Sequence, residues 1–151
     1  MPYLIMKIVH LLAVIMFVGN ITSAVYWKYY ADKRKDARLI AFTFDGIMKS
    51  DKIFTMPSVT ILILFGIGGA LHGGYNLITT GWILYSEILI LISGAAYMAK
   101  VAPVQKKISA LANNPEKFNW EEYNKLSKTW KIWGTVALIA PLIAIVLMTL
   151  K

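Results

Sequence analysis

Three stretches of the chain run without a formal charge for the length of a membrane crossing. Ile8 to Trp27 and Ile53 to His72 are 20 residues each, and Ile132 to Leu150 is 19. A fourth, Trp82 to Ala99, is interrupted by one acid, Glu87. A bilayer core about 30 Å thick takes about 20 apolar residues at about 1.5 Å per residue. The pattern therefore predicts an all-α, polytopic membrane protein: one four-transmembrane-helix bundle over residues 1–151. The helices are expected at about 3–30, 53–72, 82–102 and 120–150, joined by basic loops over 31–52 and 103–119.

Polar and helix-breaking residues fit these boundaries. Pro57 falls near the start of the second helix, where a missing N–H matters least. Asn119-Trp120-Glu121-Glu122 reads as an N-cap followed by first-turn acids, and Pro141 predicts a kink in the fourth helix. Asn113-Asn114-Pro115 ends a helical extension of the third helix beyond Pro103. The mixed segment Ala37 to Phe44 is expected to lie as a helix at the interface. Gly66 and Ala70, four apart, suit close helix contact.

Composition agrees: 58% of residues are hydrophobic and 16% charged, against about 25% charged in soluble domains. The net charge of +8 would suit nucleic acid, but its placement points elsewhere. Seven of 16 basic residues lie between Lys28 and Lys52 and seven between Lys100 and Lys131. The turn from Gly73 to Gly81 has none. By the positive-inside rule the two basic loops are cytoplasmic and both termini are outside, in an inner (plasma) membrane. The basic loops attract anionic lipids, and no nucleic-acid partner is expected. There is no cysteine, which excludes disulfides, covalent haem attachment and thiolate-ligated clusters. The first apolar run has no basic segment before it and no small-residue cleavage site, so it reads as a retained helix.

The ionisable residues inside these runs all fall in the outer half of the bilayer. Counting about 1.5 Å per residue, His10 lies about 10 Å below Tyr3 and Glu87 about 7.5 Å below Trp82. Lys7 is one turn above His10, and His72 closes the second helix at the same side. Met6, His10, Ala13, Phe17 and Asn20 fall on one face of the first helix, a mixed small and polar seam suited to the bundle interior. An intramembrane ionisable group normally faces inward, so His10 and Glu87 are expected to line a shared cavity. The plainer roles are a snorkelling Lys7, a solvated His72, a hydrogen-bonding Asn20 and a Glu87 that holds helices together.

A neutral imidazole in a helical bundle is a common axial ligand of haem iron. The expected cofactor is haem b or another tetrapyrrole, with His10 as ligand, Phe17 as a wall, and Glu87, Lys7 and Asn20 around it. This implies electron transfer or an oxidase role. Copper is the alternative metal: Met6 and His10 share a face, thioether with imidazole suits Cu(I), and His72 would join them. A third reading is a non-catalytic module that packs against a partner. A second copy of the chain or a membrane redox partner is the expected protein contact.

Lys7-x-x-His10, Phe17-Val18-Gly19-Asn20-x-x-Ser23, Trp27-Lys28 and Ala31-Asp32 resemble the opening of a bacterial integral membrane family, domain of unknown function 2269. Asp51-x-x-Phe54-Thr55-x-Pro57, Gly66…Gly73-Gly74-Tyr75, Pro103-x-Gln105 and Met148-x-x-Lys151 continue the resemblance over essentially the whole chain. The resemblance implies four transmembrane helices and no established reaction. The chain is also distantly similar to the copper-resistance D membrane domain and to the membrane-bound, haem-containing protoporphyrinogen oxidase. A Lys-x-x-His pattern on the first helix of that oxidase would place its histidine on His10.

Overall fold

The computed structural model describes all 151 residues. In chain order the elements are α1 (Pro2–Arg34), α2 (Ala37–Ser50), a π-helical segment (Asp51–Thr55) and α3 (Met56–His72). Then follow α4 (Gly81–Ala96), a second π-helical segment (Tyr97–Val101), α5 (Ala102–Ala112) and α6 (Trp120–Thr149). No strand is present. Four continuous rods result, Pro2–Arg34, Ala37–His72, Gly81–Ala112 and Trp120–Thr149, each long and apolar enough to cross a membrane.

The expected basic loops are largely helix. Residues 31–52 contain the end of α1 and all of α2, and residues 103–119 contain most of α5. The cause is amphipathicity. On α2, Ile40, Ala41, Phe44 and Ile47 form one buried face, while Arg38 and Lys49 lie on the exposed one. On α5, Val104, Ile108 and Ala112 are buried and Lys106 and Lys107 exposed. Asp36 caps α2 by accepting from the Arg38 N–H at 2.8 Å. Rods of 30 to 36 residues are roughly 45–54 Å long, so they continue well past a bilayer core of about 30 Å.

Each π-helical segment stands just before a proline. Met56 N–H bonds the Asp51 carbonyl and Ala102 N–H bonds the Tyr97 carbonyl, each a five-residue step. Pro57 and Pro103 cannot donate to the carbonyls four residues earlier, Ile53 and Ala99, which lie inside those segments. Widening the turn removes the clash with the ring while the rod continues. Pro141 meets a different solution. The carbonyl it leaves free is that of Ala137, and the Ser93 hydroxyl of α4 donates to it at 2.6 Å. Helix α6 therefore runs through Pro141 unbroken.

The rods pair. Helix α1 packs on α3, α4 on α6, and α2 on α5; the two long pairs meet along α1 and α6. The backbone of α4 approaches neither α1 nor α3. The main core lies at the basic end, where Ile40, Phe44, Val101, Val104, Ile108, Tyr123 and Trp130 pack together, with Phe44 edge-on to Trp130. The other half holds a small core of Ala13, Phe17 and Leu62, which Ile90 reaches from α4 as a side chain. Both termini and the Gly73–Thr80 turn share that end. Tyr3 lies against Gly73, and the Lys151 ammonium sits 4.4 Å from the centre of the Trp82 ring.

Candidate functional site

His10 sits in a notch that Gly66 provides. A Cβ on Gly66 would fall 2.9 Å from His10 Cε1 and 3.0 Å from Nδ1, closer than such atoms approach. The absent side chain is what lets α1 and α3 close with an imidazole between them. His10 Nδ1 is 2.8 Å from the Leu62 carbonyl. A carbonyl only accepts, so Nδ1 carries the proton and Nε2 of the neutral ring keeps a lone pair. Nε2 has no protein partner. His10 lines a cavity of about 30 Å³ with Phe17, Leu62, Ile90, Pro141 and Met148 among its walls. That is space for a single water or ion.

The other expected site residues divide. Phe17 is buried beside this cavity. Met6 packs one turn further along against Gly68 and Gly69. Lys7 is exposed. Glu87 is half-buried, has no hydrogen-bond or ionic partner, and is not in the wall of the His10 cavity. The α4 residue that does line it is Ile90, nearly one turn on. His72 is exposed and bonds the Gly68 carbonyl of its own helix at 3.0 Å. It is six residues beyond Gly66, a rise of about 9 Å, so Met6, His10 and His72 occupy successive levels. Nowhere do three or more His, Asp or Glu side chains gather as a metal-holding group.

Asn20 belongs to a second centre. Its amide donates to Asp51 Oδ1 at 3.2 Å and to Thr55 Oγ1 at 2.8 Å. Thr55 Oγ1 also donates to Asp51 Oδ1 at 2.9 Å, while Tyr97 OH at 2.9 Å and Gln105 Nε2 at 3.3 Å reach Oδ2. Asp51 is 4% exposed and forms no ion pair. Both π-helical segments supply this centre, one through Asp51 and Thr55 and the other through Tyr97. A cavity of about 20 Å³ adjoins it, lined by Asp51, Tyr97, Gln105 and Trp130 with aliphatic neighbours. Sequence reasoning passed over this carboxylate because Asp51 stands just outside the charge-free run. The signal was present in the string Asp51-x-x-Phe54-Thr55-x-Pro57, where acid and hydroxyl are one turn apart.

Nearer the basic end, Lys28 is 1% exposed and donates to Asp32 and Ser127, and Tyr123 OH donates to Asp32. Lys131 stands 3.7 Å from the same carboxylate. These contacts tie α1 to α6. On the α2–α5 contact, Asp45 accepts from Ser109 and from Asn113 at 3.2 Å.

Fold and sites together define a polytopic helical membrane protein with four membrane-spanning rods. No solved structure and no curated protein matches the chain. The chain belongs to the family described as predicted integral membrane protein, DUF2269, whose model matches residues 4–151.

Proposed function

We propose that this protein binds a redox-active group at His10, haem b being that group, and acts in electron transfer or as an oxidase. The observation that carries the reading is the 2.8 Å contact of His10 Nδ1 with the Leu62 carbonyl. A carbonyl only accepts, so the Nδ1 proton is committed to Leu62 and Nε2 is left as an unpartnered nitrogen donor on a residue that lines a cavity. Backbone bonding through the other ring nitrogen is how ligating histidines are oriented. Lys7, exposed one turn towards the terminal end, suits a propionate. The cavity of about 30 Å³ does not hold a macrocycle, so binding one requires the α1–α3 and α4–α6 pairs to part. The opening would lie where the α4 backbone stays clear of α1 and α3. A haem admitted by such a separation would be held by His10 and would supply one-electron chemistry.

Copper(I) is the second reading, favoured by Met148. Its thioether shares the His10 cavity, whose volume suits one ion. The basic end is assigned to the cytoplasm and both termini to the outside of a bacterial inner membrane, on the placement of Lys and Arg. Anionic lipid at the basic end, and a second copy or a membrane redox partner, are the contacts proposed.

Protein purified in mild detergent from haem-replete cells is expected to show a Soret band that His10→Ala abolishes or shifts. A colourless preparation with stoichiometric copper supports the second reading. Neither colour nor metal, with His10→Leu folding as the parent does, would leave only a packing module.

A further inference from the structure

The second centre holds two buried groups whose needs are complementary. Asp51 is a carboxylate with four neutral donors and no cation. Its level in the bundle is that of Asn20, seven residues inside Trp27 and so about 10 Å within the charge-free run of α1. A charge buried there is paired, binds a metal, or is neutralised by a proton. Across the adjoining cavity, Trp130 is 4% exposed and its Nε1–H has no acceptor. An indole N–H only donates.

A species that accepts from Trp130 and donates to Asp51 satisfies both. A metal cation does not, because it cannot accept from N–H. A water molecule does, and the cavity of about 20 Å³ has room for one. We propose that Asp51 is an intramembrane proton-binding site, reached through one water held between its carboxylate and Trp130 Nε1. A proton arriving from the aqueous phase enters this water as the water passes one of its own to the carboxylate, which becomes a neutral acid. The water is regenerated and no other reactant is consumed.

The surroundings keep this carboxylate apart from other charges. Helix α1 faces it with Asn20, the second π-helical segment with the Tyr97 hydroxyl, α5 with Gln105 and α6 with Trp130. Lys52 beside it is exposed. The nearest buried cation on those faces is Lys28, 5.8 Å from the Trp130 ring and already engaged by Asp32. Each of the two π-helical turns contributes to the centre, Asp51 and Thr55 from one and Tyr97 from the other. This site stands independently of the reading of His10.

Infrared difference spectra across about pH 4–9 on the full chain in lipid test it. The parent protein is expected to show the carbonyl stretch of a buried carboxylic acid growing as pH falls, and Asp51→Asn to lack it. Tyr97→Phe removes one of the two donors to Oδ2, so the carboxyl band should persist with its stretch moved to higher frequency. Trp130→Phe should keep the carboxyl band and lose the O–H stretch of the bound water. If Asp51→Asn does not fold, the direction of the Tyr97→Phe shift decides. The band persisting in Asp51→Asn, its absence from the parent, or an unmoved or lowered stretch frequency in Tyr97→Phe would overturn the proposal. So would a response to sodium at constant pH, which would put a metal cation in the site.

Discussion

His10 depends on a residue that contributes no atoms of its own, Gly66. A methyl group there would meet the imidazole at 2.9 Å. Two terms then oppose each other: alanine gains about 0.5–1 kcal/mol over glycine in a helix, whereas overpacking costs about 1–3 kcal/mol. Gly66→Ala is therefore expected to destabilise the protein by about 1–2 kcal/mol in detergent unfolding. In a His10→Ala background the clash vanishes and the same substitution should become stabilising. A loss of equal size in both backgrounds would show that Gly66 is not shaped around the imidazole. Asn20 makes the contrasting case at this scale. Helical spacing places it on the inward face, but that spacing does not name its partner. Asp51 and Thr55 lie more than 30 residues away, on a rod whose register only the packed structure fixes.

Among the elements, three prolines interrupt three rods and none ends its rod. Pro57 and Pro103 follow π-helical turns, while Pro141 hands the Ala137 carbonyl to Ser93 on the neighbouring helix. Inside a bilayer an unsatisfied carbonyl has no water to turn to. Ser93→Ala is expected to cost about 1–3 kcal/mol in the parent. In Pro141→Ala the restored N–H bonds Ala137 within α6, so Ser93→Ala should cost about 1 kcal/mol less there. A double-mutant cycle by reversible unfolding measures this coupling, and a coupling near zero would refute the handover. The sequence marked Pro141 as a kink because proline chemistry is local. The hydroxyl that rescues its helix comes from 44 residues away and was not legible.

For the whole molecule, the structure puts both termini and the Gly73–Thr80 turn at one end and the large core at the other. The chain has no cysteine, so single cysteines can be introduced without background. A cysteine at Asn76 should react with an impermeant maleimide from outside intact cells, and one at Asn114 only after permeabilisation. The reverse result would invert the orientation proposed from the basic residues.

Hydropathy alone determined that four rods cross a membrane, because the bilayer is a solvent each helix meets on its own account. It also placed 14 of the 16 basic residues outside the apolar runs and toward one end, because an unpaired charge is costly in the apolar core. Pairing was a different matter. Which rods touch, that Glu87 stays out of the His10 cavity while Ile90 enters it, and that Asp51 gathers four donors all depend on helix rotation and register. Lipid is as apolar as leucine, so hydrophobicity does not choose between packing a face on lipid and packing it on another helix. That choice rests on close-fitting shapes such as Gly66 with His10 and on hydrogen bonds such as Ser93 with Ala137, and these exist only once the rods have met.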